Sequence, residues 1–223
     1  MKLTLLCNAG LALEADGQML LIDLPNEQFE PFYRLPDETW NQILSREPPY
    51  DEVVGLYFTH LHPDHCDLKR LQMYRNRWPE VPVFLPEEHL VKGQVEMGIF
   101  QIKFQRMDHA PIPNAPVHVV TTVRGGEKSV YLAADAKLDS NAHRQFLNNE
   151  KLDCAVWNPM FLSRPETRQL MKETAHLNLI VHMPQERPDQ YGLWKKLEHN
   201  LKRYPEVRTY AEVLDCYPSE VTI

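Results

Sequence analysis

The stretch Thr59-His60-Leu61-His62-Pro63-Asp64-His65 limits this chain more than any other, because it puts three imidazoles and a carboxylate into six consecutive residues. It stands directly behind the apolar run Val53-Val54-Gly55-Leu56-Tyr57-Phe58, which reads as a buried strand. Side chains of an extended chain repeat every second residue, so His60 and His62 leave the backbone on one side and can close on one metal ion, while Leu61 points away. Pro63 suits a first helical position and turns the chain, which aims Asp64 and His65 at a second ion. The loop alone can therefore serve two neighbouring metals. The competing reading, a histidine-rich surface turn, leaves its position at the end of a buried strand unexplained.

Other strands end on the same kind of residue. Leu3–Leu6 and Gly10–Glu14, a turn at Ala15-Asp16-Gly17-Gln18 and the run Met19–Asp23 read as hairpin strands, since Asp-Gly between apolar runs is a hairpin signal. Asp23 either orients a ligand histidine or caps a strand end. Ile99–Phe104 alternates as a strand and runs toward His109, which enters a proline-rich loop. His118 competes with it, but sits inside the strand Val117–Val123 rather than at an exit. Val130–Asp135 ends on a carboxylate and Leu177–His182 on an imidazole.

Helices are expected at 37–45 with Asp37 as N-cap, at 68–78 from the spacing of Leu68, Leu71, Tyr74 and Trp78, and at 141–149, 165–174 and 191–204. A helical turn at 86–90 carries His89, and 207–214 reads as a closing strand. His89, His143, His176 and His199 are expected to face solvent. The polar, aromatic and proline-rich stretch 24–52 either covers the site or packs on the domain edge. Hairpin strands, helix, strands, helix, strand and helix suit two packed sheets with helices outside.

With 223 residues the chain can bury a sizeable core and reads as one domain over 1–223. A net charge of −7 gives no footprint for general nucleic-acid binding. No segment approaches membrane-spanning length and the opening apolar run is too short for a secretory signal, so a cytoplasmic chain with no membrane partner is expected. Cys7, Cys66, Cys154 and Cys216 are far apart with no CxxC pair; reduced thiols are expected, three of them in the core or at element edges.

These residues make the whole chain resemble the metallo-β-lactamase superfamily. The resemblance rests on His60, His62, Asp64 and His65, on Asp23 closing the first hairpin, on His109, on Asp135 in Leu132-Ala133-Ala134-Asp135, and on His182 in Ile180-Val181-His182. It implies an α+β, four-layer αββα sandwich with the metals in a cleft at one edge. His60, His62 and His109 would hold the first ion, Asp64, His65 and His182 the second, and Asp135 would bridge them. Asn8-Ala9-Gly10-Leu11, the run Ala15–Asp23 and Asp64-His65-Cys66-Asp67 are similar to the lactonase-like branch, which includes ascorbate-6-phosphate lactonase. Leu24-Pro25 and the stretch 24–52 depart from it.

The implied activity is hydrolysis of a small-molecule ester, lactone or phosphorylated metabolite by a hydroxide bridging two divalent ions, with Asp64 orienting it or moving its proton. Zinc suits the ligands first, while manganese, iron and nickel are compatible. Protonation of the histidines should lower activity in acid. One alternative is a phosphodiesterase for a nucleotide or cyclic phosphate, with Lys137, Arg164, Arg168 and Arg187 as phosphate grips. Another is a non-hydrolytic iron redox or metal-binding protein. His62 stands where diiron electron-transfer members of the superfamily carry glutamate, which argues against that version.

Overall fold

In the first hairpin Leu3, Leu5, Leu11, Leu13, Leu20 and Ile22 face one way, while Leu6, Ala12, Met19 and Leu21 face the other, and both sets are buried. Strand side chains alternate, so a sheet apolar on both sides must be covered on both sides. The computed structural model, which describes all residues except 89–91, 111, 113 and 186–188, shows what covers it.

Strands β1 (Lys2–Cys7), β2 (Gly10–Ala15) and β3 (Gln18–Ile22) are antiparallel. Asp16 and Gly17 turn between β2 and β3, both with positive φ (46° and 76°), as the tight hairpin turn requires. Helix α1 (Asp37–Ser45) then leads to β4 (Val53–Tyr57), and α2 (Leu68–Arg77) to β5 (Val83–Phe84), each strand parallel to its predecessor. The second sheet repeats this plan. Strands β6 (Lys92–Met97), β7 (Phe100–Arg106), β8 (Val119–Gly125) and β9 (Lys128–Leu132) form an antiparallel meander. Helices α3 (Ser140–Leu147), α4 (Pro165–Thr174) and α5 (Leu193–Arg203) then alternate with the parallel strands β10 (Leu152–Trp157), β11 (Ala175–Ile180) and β12 (Ala211–Val213). The last strand, β13 (Ser219–Thr222), returns to pair with β1.

Parallel neighbours need crossover connections, which place helices on the sheet faces. The buried apolar residues accordingly fall into three layers: between the sheets, under α1 and α2, and under α3, α4 and α5. This is the expected αββα sandwich.

Several local expectations are corrected. The N-cap of α1 is Pro36; Asp37 lies in the first turn and pairs with Arg34 and Arg70. Pro63 opens a turn, not a helix, and α2 starts at Leu68, capped by the Asp67 carboxylate, which accepts from Lys69 and Arg70 N–H at 3.0 Å each. Leu68, counted in the apolar stripe, is 55% exposed. The closing strand shrinks to β12, preceded by a 3₁₀ turn at Pro205–Thr209. Strands β6 and β13 were not anticipated. Cys7, Cys66 and Cys154 are buried free thiols and Cys216 is exposed. His176 and His199 are exposed, but His143 is fully buried. His89 and Arg187 lie outside the described residues. Among the described residues no helix is long and apolar enough to cross a membrane.

Candidate metal centre

The chain brings its candidate ligands together by ending strands in the same place. Asp23 follows β3, His60 lies just beyond β4, and Asp135, Asn158 and His182 follow β9, β10 and β11. All five strands belong to parallel pairs, and the carboxyl ends of parallel strands are where an open sheet leaves room for ligands. The two sheets are tied at this edge: Val119 N–H donates to Thr59 C=O at 3.0 Å and His182 N–H to Asn8 C=O at 3.1 Å. His109, beyond β7, is held by a bridge to Ala136, with Ala110 N–H on Asp135 C=O at 2.7 Å. Asp23, Ala134 and His182 have positive φ (52°, 44° and 67°), uncommon for side-chain-bearing residues. These sharp exits redirect the chain where the strands stop.

Two groups result, His60, His62, His109 and Asp135 in one, Asp64, His65 and His182 in the other, with one donor atom per residue inside 4.8 Å within each group. Asp135 faces both. Its Oδ2 is 3.8 Å from His60 Nε2, 3.6 Å from His109 Nε2, 3.6 Å from His65 Nε2 and 3.4 Å from His182 Nε2. His182 Nε2 lies 3.1 Å from Asp64 Oδ2. All seven residues singled out in the sequence are thus in one cluster.

Hydrogen bonds decide which nitrogen of each ring faces inward. His65 Nδ1 is 2.9 Å from Asp23 Oδ2 and His109 Nδ1 is 2.8 Å from Ala110 C=O. Both partners only accept, so both rings donate from Nδ1 and turn an Nε2 lone pair to the centre. Thr59 Oγ1 donates to Asp23 Oδ2 at 2.7 Å and therefore accepts from His60 Nδ1 at 3.1 Å. The Nε2 atoms of His60, His65, His109 and His182 are buried with no hydrogen-bond partner. Buried polar atoms are rarely left so, and here four converge on two carboxylates. Imidazole lone pairs with carboxylate oxygens are the donor set of a divalent first-row ion, so the residues present fit such a group.

The electrostatics of the ligand-free protein agree. Burial, reinforced by His65 and His118, holds His60 well below the usual imidazole range. Burial and His109 also lower His62. For His182 burial opposes charge, but Asp135 and Asp64 outweigh it and raise it to about 9. His65 is raised likewise against its burial, chiefly by Asp64 and Asp23. Asp135 is held well below the carboxylate range despite burial, by His182 and His109 first.

Two asparagines support the carboxylates. Asn8 Nδ2 donates to Asp64 Oδ2 at 3.1 Å, and Asn158 Nδ2 to Asp135 Oδ1 at 2.8 Å. His118 is no rival to His109: its Nε2 accepts from Asp135 N–H at 3.2 Å. Asp23, left open between two roles, accepts from Thr59 N–H and Oγ1 and from His65, so it orients the cluster. The stretch 24–52 divides. Its first part rims the cluster, with Glu27 N–H on Pro63 C=O at 2.7 Å and Phe32 edge-on to His182 at 4.4 Å, whereas α1 packs on the outer face. Of the cations weighed as phosphate grips, Arg168 is buried, lies 3.6 Å from the Tyr204 ring centre and donates to Leu162 C=O; it is structural. Lys137 and Arg164 line the cleft over the cluster.

Neither a family model nor a curated protein sequence matches the chain. Solved structures do. The metallo-β-lactamase fold protein YhfI from Bacillus subtilis is similar at 14% identity and a TM-score of 0.65, over 99% of this chain and 98% of that one. A possible metal-dependent hydrolase from Veillonella parvula DSM 2008 aligns at 15% identity and 0.70, over 100% and 99%. Isothiocyanate hydrolase from Delia radicum gut bacteria aligns at 14% and 0.67, over 100% and 99%. Together these likenesses show the fold: an α+β sandwich of the metallo-β-lactamase type.

Proposed function

We propose that this chain is a metal-dependent hydrolase acting on an ester-like bond of a small molecule, a lactone included. One observation carries the reading: four buried Nε2 atoms without hydrogen-bond partners converge with Asp64 and Asp135 at the floor of an open cleft. Two of the similar structures are named as hydrolases, which supports the reaction class but not a substrate.

In this reading His60, His62 and His109 would hold one ion and Asp64, His65 and His182 the other, with Asp135, which faces both groups, available to each. Zinc fits the donor set, as do manganese, iron and nickel. When bound, two divalent ions supply Lewis-acid polarisation of the substrate oxygen and a water that ionises near neutral pH. The chain does the rest. Asp23 and Ala110 C=O keep His65 and His109 in the tautomer that points Nε2 inward. Asn8 orients Asp64, whose Oδ2 takes the proton released by the attacking water. Phe32, packed on His182, keeps bulk water off that side.

The test is the metal content of protein purified without added metal, followed by turnover of lactone, thioester and phosphodiester panels, with His62→Ala as control. Bound metal with turnover lost in His62→Ala is expected. Full metal content and activity in that variant would overturn the two-ion assignment, and bound iron with no hydrolysis would overturn the reaction.

A further inference from the structure

The cleft above the cluster holds about 630 Å³, and its walls differ at its two ends. Beside the Asp64, His65 and His182 group the wall is aromatic. Phe32 meets His182, stacks on Tyr191 (ring centres 6.0 Å apart, planes 14° apart) and lies parallel to Phe29 (6.4 Å, 9°). Met160 and Leu193 add further apolar lining to the cleft. Toward His109, where Ala110, Ile112, Ala136 and Leu138 also line it, the cleft carries two cations: Lys137 N–H is anchored on Asp108 C=O at 2.7 Å, and Arg164 lines both this cleft and the adjoining hollow with Lys137. Among the described residues no carboxylate lies within ion-pair distance of the Arg164 guanidinium, and the partner of Lys137, Asp108, is 3.5 Å away and exposed. Exposed pairs of that kind are weak, so both cations are available to a ligand.

This polarity selects among small molecules. A polyhydroxylated metabolite laid along the aromatic wall would lose hydrogen bonds to water and gain few in return. An apolar or aromatic group gains contact there, and an anion gains two cations at the other end.

We infer that the substrate is an ester, thioester or lactone with an apolar, preferably aromatic, group on one side of the scissile carbonyl and an anionic group on the other, seated on Phe29, Phe32 and Tyr191 at one end and on Lys137 and Arg164 at the other. This rests on the hydrolytic reading. Water adds to the carbonyl carbon, the bond from that carbon to the alcohol or thiol breaks, and carboxylate, alcohol or thiol and one proton leave, with no oxidant or reductant needed.

Binding and turnover are measured separately. Metal-free protein is titrated with 4-phenylbutyrate, butyrate and 4-phenylbutan-1-ol. The first should bind about tenfold more tightly than butyrate and roughly fivefold more tightly than the alcohol. Phe29→Ser, at a ring already 40% exposed and so tolerated by the fold, should shrink the first ratio. The double variant Lys137→Gln, Arg164→Gln should erase the second. The metal-loaded protein is then given monobenzyl succinate, monoethyl succinate and benzyl propanoate, where kcat/KM should follow the same preferences. Equal binding of phenylbutyrate and butyrate, or ratios unchanged in the variants, would overturn the cleft assignment even if esters are hydrolysed. The expected binding ratios with no ester turned over would instead overturn the hydrolytic reading, and the substrate with it.

Discussion

His143 and the cleft histidines are alike in burial and opposite in what meets their nitrogens. Under α3, His143 Nε2 donates to Lys137 C=O at 3.0 Å and its Nδ1 accepts from the Tyr131 hydroxyl; both nitrogens are satisfied by the chain. In the cleft His60, His65 and His109 spend only Nδ1 on the protein and leave Nε2 facing a shared centre. Burial alone therefore does not mark a functional histidine. What sets the cleft apart is that several unmet nitrogens are turned toward one centre with two carboxylates, because an unmet buried polar group is costly unless something completes it.

The comparison breaks most visibly at Asp135, the one carboxylate facing both groups. Asp135→Ala should lower metal content and cut activity by more than about a hundredfold, measured by elemental analysis and kcat/KM, whereas His143→Gln should leave metal content unchanged. Next in size is Asp23→Ala, which removes the acceptor that orients His65. Metal affinity should fall roughly 10- to 100-fold, read by competition with a chelator, and an unchanged affinity would mean that His65 needs no such guide.

On the other side of the comparison, Tyr131→Phe leaves His143 Nδ1 unpaired. Urea unfolding should show a loss of about 1–3 kcal/mol with metal affinity intact. The smallest effect is on pH dependence. Burial holds His143 at about 4, below its ordinary 6.5, so as pH falls the unfolded chain takes up this proton before the folded one. Its contribution is therefore present above pH 6.5 and is lost as pH falls toward 4, about 1 kcal/mol of it between pH 6.5 and pH 5.5. His143→Gln should flatten that part of the stability curve; an unchanged curve would place the acid sensitivity elsewhere.

What could be read from the sequence follows from where the signal is local. His60, His62, Asp64 and His65 fall within six residues, and Asp135 and His182 each end an apolar run, so period and position alone bring them forward. Asn158 acts through a contact made only when β10 reaches this edge, and Asn8, though it opens the Asn8-Ala9-Gly10-Leu11 run, shows its contact with Asp64 only once β1 meets the cluster. His118 was a rival ligand until its bond to Asp135 N–H assigned it to the backbone. Ser140, His143 and Leu147 together form the buried face of α3, and the polar type of His143 gives no local sign of that burial. Strand β13 is short and half-exposed, and its pairing with β1 joins the two ends of the chain, beyond any local pattern.

Whether the unused Nε2 atoms take up two ions, as proposed, is decided by metal binding to the ligand-free protein. Titrating metal-free protein with cobalt(II), followed by visible absorbance, tests it directly. Saturation at two equivalents per chain is expected, reduced in Asp135→Ala and in a His60→Ala, His65→Ala double variant that still folds by circular dichroism. Absence of saturable uptake, or uptake of two equivalents that persists unchanged in the double variant, would contradict it.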